Sequence, residues 1–228
     1  GSEDGKVYAL RSQDGNKVWE FRAGDRIWAG PVAEGDAVYV ATLGGVLYKL
    51  QAASGNRVWS FQAGGAIAGP PLALGGRVYV GSFDRTFYAL DDRDGQVKWD
   101  YQVDNWFWTR PLASGGTIYV AGMDHRLYAF DAGTGQVRWS FEAKSPLRAW
   151  PVLTDRFVIV GASDGRVYAL DVQTGDRRWD VPVGSPVYAP LATDGQTVYL
   201  SALDRDVIAL DVKAGNKLWT FKTREEKK

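Results

Sequence analysis

The stretch Ala129-Phe130-Asp131-Ala132-Gly133-Thr134-Gly135-Gln136-Val137-Arg138-Trp139 reads as a strand end, a tight turn and a new strand opening on tryptophan. This eleven-residue frame occurs six times, with tryptophan at Trp19, Trp59, Trp99, Trp139, Trp179 and Trp219, each 40 residues after the last. Its glycines keep the same step, at Gly15, Gly55, Gly95, Gly135, Gly175 and Gly215. A fixed period in this range marks solenoids, propellers or arrays.

Working outward from the frame, each period holds four short strand signals separated by Gly, Asp or Asn turns. In the second period these are Pro31-Val32-Ala33, Ala37 to Ala41, Val46 to Leu50 and Arg57 to Phe61. Alternating β-branched and aromatic residues bounded by turn residues predict antiparallel strands, and no segment carries helical spacing. Four strands per unit of this length predict an all-β fold, a β-propeller of four-stranded antiparallel blades. With strands named A to D from the axis outward, full blades are expected over 29–62, 69–102, 109–142, 149–182 and 189–222. Proline at the start of strand A suits an innermost edge, which tolerates a missing N–H. A C–D half-blade over 1–22 precedes them, and 223–228 reads as a charged, solvated tail. The whole of 1–228 is expected to form one propeller domain of 22 strands. The unmatched half-blade has three readings: a piece of a longer protein, a five-blade ring with a spare hairpin, or strands supplied by a partner chain. The first is favoured; the third allows self-association through the incomplete blade.

Composition narrows the function classes. Lys+Arg and Asp+Glu both number 27, so no net field steers the chain onto nucleic acid or an anionic membrane. The absence of cysteine removes disulfides and thiolate chemistry without deciding the compartment. No apolar run approaches the roughly 20 residues of a membrane-spanning helix. The chain opens on Gly1-Ser2-Glu3-Asp4, so any signal segment is expected upstream or already removed.

The frame also carries a family resemblance. Ala89, Asp91, Gly95 and Trp99 have the spacing of the tryptophan-docking motif of quinoprotein propellers, as do Ala129/Asp131/Gly135/Trp139, Ala169/Asp171/Gly175/Trp179 and Ala209/Asp211/Gly215/Trp219. The first two copies depart: Arg11 replaces the aspartate, and Lys49 and Gln51 replace alanine and aspartate. Gly165-Arg166-Val167-Tyr168-Ala169-Leu170 resembles the PQQ-like repeat shared with BamB-type lipoproteins and with the sensor propellers of some receptor kinases. The resemblance implies that the six tryptophans pack between blades, and a bacterial-envelope or extracytoplasmic setting. It also implies PQQ as a conceivable cofactor. Quinoprotein dehydrogenases, however, use larger rings, calcium-binding acids and often adjacent cysteines, and none of these can be placed here. With one histidine, short loops, no Gly-x-Ser-x-Gly elbow and no phosphate-binding glycine loop, the chain is read as a non-enzyme without metal or resident cofactor.

Asp4, Asp84, Asp124, Asp164 and Asp204 recur in the B–C turn, with Gly44 in the same column. One carboxylate per blade is too dispersed for a metal, so each is expected to bond its own turn N–H groups. The next slot holds Gly5, Gly45 and Gly165 but Arg85, His125 and Arg205 elsewhere. Either these three accept a left-handed backbone at a cost of about 1 kcal/mol, or their turns differ.

The D–A connections vary most, and they are expected on the same face as the B–C turns. There Trp28, Trp106, Trp108, Trp150 and Tyr188 fall beside Arg26, Arg110 and Arg148. Trp and Arg dominate binding hot spots because large apolar area meets a polar handle. The alternative is that some rings only fill the channel or pack between blades. The leading expectation is a non-catalytic scaffold or sensor that binds a protein or small ligand at this mouth. A quinone-dependent protein and a purely structural or engineered repeat stand as alternatives.

Overall fold

In a computed structural model of the chain, which describes residues 1–204 and 206–223, every regular element is a strand. Twenty-two strands form one two-stranded and five four-stranded antiparallel sheets, the predicted half-blade and five propeller blades. The half-blade pairs Lys6–Leu10 with Lys17–Arg22. The first full blade comprises Val32–Glu34, Ala37–Ala41, Val46–Gln51 and Arg57–Gln62, in that order from A to D. Strand A begins one residue later than predicted, at Val32, Leu72, Leu112 and Val152, each directly after a proline. Lacking an N–H, proline cannot join the ladder and marks its threshold instead. The expected tail over 223–228 lies outside the described residues except for Thr223, and the last strand ends at Lys222, as expected for its blade.

The chain divides into two compact units, Gly1–Pro111 and Leu112–Lys228. The first holds the half-blade and two blades, the second three blades. Within each unit the core lies between consecutive sheets. Val7, Ile27, Val40 and Leu50 pack between the half-blade and the first blade, and Leu47, Trp59, Ile67, Val80 and Leu90 between the first and second. In the second unit, Tyr119, Leu127, Leu147, Val160 and Leu170 form one inter-blade layer and Ile159, Val187, Leu200 and Leu210 another. Strands B and C of a blade that lies between two such layers are therefore covered on both faces. Phe157–Gly161 is buried at every position, while the outer strand Arg177–Pro182 is mostly exposed or half-buried. This layered burial is how sheets with two apolar faces satisfy both.

The repeated frame is the fastener between layers. In each C–D hairpin the alanine column faces the tryptophan, as in Ala129 opposite Trp139 and Ala169 opposite Trp179, followed by a register shift. The small residue leaves the indole room to lie toward the next blade. There its Nε1–H donates to a backbone carbonyl: Trp19 to Ala52 at 2.8 Å, Trp59 to Asp92 at 2.9 Å, Trp139 to Val172 at 3.2 Å and Trp179 to Val212 at 2.9 Å. The frame glycine of that next blade receives the ring face. A Cβ added to Gly55, Gly95, Gly175 or Gly215 would come within 2.8 Å of the indole of Trp19, Trp59, Trp139 or Trp179, respectively. These glycines also have φ of 72–76°, so their absence of a side chain serves the turn and the packing together. Trp219 departs from the expected docking role: it is 46% exposed and tilts against Tyr199 at 6.0 Å. Trp99 tilts against Tyr79 and Phe87, both 5.9 Å away.

The departures from the motif are explained in the same terms. Opposite Trp59, Lys49 replaces alanine, and its Nζ reaches the next blade to bond the carboxylate and the carbonyl of Asp92, both at 2.8 Å. The Tyr39 hydroxyl donates to the same Asp92 carboxylate at 2.5 Å. A charged latch thus accompanies the indole bond at this interface. Where the motif aspartate is kept, it caps its own turn: Asp131 Oδ1 accepts from the N–H of Gly133 and Thr134, and Oδ2 pairs with Arg138 at 2.6 Å.

Candidate functional site

The D–A connection of each blade is a short extended run whose side chains alternate in direction. Its middle residue is core: Ile27, Phe107, Leu147 and Val187 are all buried. A Cβ on Gly81 would fall within 2.2 Å of Phe107, and one on Gly161 within 2.5 Å of Val187, so these two middle residues press onto a strand B glycine. The flanking residues must then point outward. This places Trp28, Trp106 and Trp108 on the surface side of the loops, and they are 51% exposed, 45% exposed and half-buried.

The B–C turns share that face, as expected from the sequence. Leu43 N–H donates to Arg26 O and Phe83 N–H to Ala66 O in the first unit, and Ser163 N–H to Pro146 O and Leu203 N–H to Pro186 O in the second. The same turn is also tied to the next D–A loop, where Phe107 N–H donates to Ser82 O at 3.3 Å, and beside it Phe83 joins the aromatic group. Phe83 stacks on Trp106 with centroids 4.9 Å apart and planes 13° from parallel, and on Trp108 at 5.4 Å and 28°. Trp108 in turn meets Trp28 edge-on at 5.9 Å. Four rings thus form one continuous aromatic surface drawn from two D–A loops and a B–C turn. Phe83 was missed by the sequence reading. Its signal was its column, where Leu43, Met123, Ser163 and Leu203 fill the position before the turn aspartate.

The predicted basic residues fall in both units. Arg85 has φ of 70°, and His125 in the second unit has φ of 71°, so both hold the left-handed conformation. The reason is the slot's carbonyl, which accepts from the following D–A loop whatever the side chain: Gly45 O from Ala63, Arg85 O from Val103, His125 O from Ala143 and Gly165 O from Val183, all at 2.8–2.9 Å. The hydrogen bond fixes the backbone and the non-glycine residue bears the strain. Arg205, the third residue of this set, lies outside the described residues. Arg26 and Arg110 are exposed on the same loops of the first unit.

The second unit's predicted residues make a smaller group. The Arg148 guanidinium lies over the Tyr188 ring, 4.9 Å from its centroid, a cation–π geometry. Trp150 is half-buried, and its carbonyl accepts from Leu191 N–H at 3.2 Å. His125 is likewise half-buried.

The turn aspartates behave as structural caps. Asp84 Oδ1 accepts from Thr86 N–H at 2.9 Å, while Oδ2 accepts from Gly64 N–H and the Tyr88 hydroxyl, each at 2.7 Å. Tyr8 and Tyr128 bond Asp4 and Asp124 in the same way at 2.5 Å. The hydrogen bond from Tyr8 holds the Asp4 carboxyl below its ordinary range, and burial with the Asp84 contact pushes the Tyr88 hydroxyl up to about 12. Where Gly44 replaces the aspartate, the Asp25 carboxylate of the adjoining loop lies in its place, 2.8 Å from where a Cβ would stand. Among the described residues no cluster of three His, Cys, Asp or Glu side chains is placed to hold a metal ion.

Comparison with known proteins accords with this architecture. No curated protein matches the sequence. Among solved structures, BamB from Moraxella catarrhalis superposes with a TM-score of 0.88 at 24% identity, over 98% of this chain and 72% of that one. The computationally designed Ika8 protein does so with a TM-score of 0.87 at 18% identity, over 97% and 70%. At these identities the likeness is one of fold. The family model described as "Beta-alanine-activating enzyme, beta-propeller" matches residues 1–226, nearly the entire sequence, and the chain belongs to that β-propeller family.

Proposed function

We propose that this chain is a non-catalytic binding module that displays aromatic and arginine side chains from its D–A and B–C loops to a protein or small ligand. The observation carrying this reading is the four-ring surface of Trp28, Phe83, Trp106 and Trp108, with its outer tryptophans half in solvent. Contiguous exposed apolar surface of this kind marks interaction sites, and rigid aromatics bind with little loss of conformational freedom. Arg26, Arg85 and Arg110 on the same loops supply charge and planar donors, which favours an acidic partner with aromatic or apolar residues. A family description that names an activating enzyme suits a propeller that serves catalysis by binding rather than performing it.

The test uses a short acidic peptide bearing aromatic residues, followed by tryptophan fluorescence. Binding should be lost on combining Trp106→Ala with Trp108→Ala while cooperative unfolding persists. Unchanged peptide binding in the double variant sinks the reading, and so does global unfolding of each single variant, because the rings would then be core.

The quinone-dependent alternative predicts a higher melting temperature and a new absorbance band with PQQ and calcium; an unchanged melting curve removes it. Self-association is the third element of the proposal. Among the described residues strand Lys6–Leu10 pairs with no strand but Lys17–Arg22, and its other edge is open to a further strand. Sedimentation of the intact chain should show a dimer that Leu10→Pro dissolves; a monomer at all concentrations refutes it.

A further inference from the structure

A concavity of the second unit lies at the A–B ends of its blades, away from that unit's own D–A loops. It has a volume of about 530 Å³ and opens where the A strands and A–B turns of three consecutive blades converge. Its floor is apolar, from Leu153, Phe157 and Val212, and its rim carries Arg156, Lys213 and a single carboxylate, Asp155.

Two features distinguish the rim. Elsewhere in this unit, arginines on the outer strands are neutralised by partners: Arg126 by Glu142, Arg138 by Asp131, Arg178 by Asp171, and both Arg166 and Arg177 by Asp180. Arg156 and Lys213 form no ion pair among the described residues, and Arg156 instead lies 5.8 Å from the centroid of the Phe157 ring. The two wall threonines are committed to the backbone, with Thr154 bonded to Phe157 and Thr193 to Thr197. The cavity therefore has two uncommitted cations over an apolar floor, and a size in the range of small-molecule sites, about 300–1,000 Å³.

We propose that this cavity is a second binding site, on the A–B face, for a small organic monocarboxylate whose apolar body fills the floor and whose carboxylate meets Arg156 and Lys213. Guanidinium and ammonium donors above an apolar surface are the chemical complement of such a molecule. Asp155 sets the charge limit: it leaves the rim with one net positive charge and disfavours a dianion by repulsion. The inference does not depend on the aromatic surface, and its failure leaves that reading untouched.

The experiment titrates the intact chain with 2-naphthoate, 2-naphthylmethanol and 2-naphthylmethylammonium, following amide shifts by NMR. The naphthoate should shift residues 153–157 and 212–213 and bind at least 5-fold more tightly than either other probe. Arg156→Gln and Lys213→Gln should each weaken naphthoate about 3- to 10-fold, and Asp155→Asn should tighten it about 2- to 3-fold. Equal binding of the neutral probe, preference for the ammonium, shifts mapping elsewhere or no binding would each overturn the assignment. Weakening by Asp155→Asn would overturn it too, since that carboxylate would then be a ligand-holding group. Should a variant unfold, the comparison of three probes on the unaltered chain still decides.

Discussion

The C–D turns and the D–A loops use tryptophan for opposite purposes, and the contrast shows what makes a ring structural. At the C–D turn, Trp59 is 7% exposed, its indole N–H has a carbonyl partner, and Gly95 of the next blade is cut away to receive it. At the D–A loop, Trp106 is stacked on one side by Phe83 and remains 45% exposed. The difference lies less in the residue than in what surrounds it. A tryptophan becomes a fastener when a neighbouring sheet supplies an acceptor and a flat seat; without them it remains surface. Trp219 makes the same point inside the motif, since it has the fastener's sequence and a surface residue's exposure.

The comparison can be broken most directly by truncation. Trp59→Ala should cost about 3–5 kcal/mol by denaturant unfolding, the range for a large aromatic lost from a core. Trp106→Ala should cost less than about 1 kcal/mol, as for a surface position. Equal losses would abolish the distinction between the two sets.

The glycine seats provide a finer test. Gly95→Ala combines a positive φ with a Cβ 2.8 Å from the Trp59 ring, whereas Gly15→Ala has a similar φ and nothing within 4 Å. The first should lose about 2–4 kcal/mol, strain plus overpacking. The second should lose only about 1 kcal/mol of backbone strain. A matched loss at both sites would mean that the turn alone requires glycine.

On the loop face the sign reverses. Arg85→Gly relieves a left-handed arginine and should raise stability by up to about 1 kcal/mol, while weakening capture of the acidic peptide. A stability loss would show that the arginine side chain holds the turn rather than serving the surface.

The smallest effect is the docking frame's share of a dependence on pH. The Arg138 hydrogen bond holds the Asp131 carboxyl well below its usual range, and the Arg178 hydrogen bond does the same for Asp171. Because the folded values lie below the unfolded value of about 3.9, their stabilisation is complete above it and fades as pH falls through the lowered values. Unfolding midpoints should therefore decline below about pH 4, and less steeply in Asp131→Asn. Parallel acid limbs for the two proteins would refute this assignment.

How much was legible in advance follows the same division. The Ala–Asp–Gly–Trp spacing located the C–D hairpins and the strand count, because period-2 alternation and turn chemistry are local properties of the chain. The exposed tryptophans were also found by register, since any residue outside a strict repeat stands out against it. Phe83 was not, because its importance arises from stacking on Trp106, a residue of a later loop that reaches it only once the strands have packed. Lys49 read only as a motif departure until Asp92, 43 residues away, proved to be its partner.

By itself the sequence determined the architecture: a 40-residue period, four strands per blade, glycine where φ must be positive, and indoles at fixed register. Only the tertiary structure decided which indoles dock, which loop rings gather into one surface, and that the cavity of the second unit lies on the A–B side. The physical reason is range. Strands and turns are set by interactions a few residues apart, whereas an acceptor for an indole, a ring neighbour or a concave wall is contributed by a segment tens of residues distant, and its position follows only once the sheets have packed.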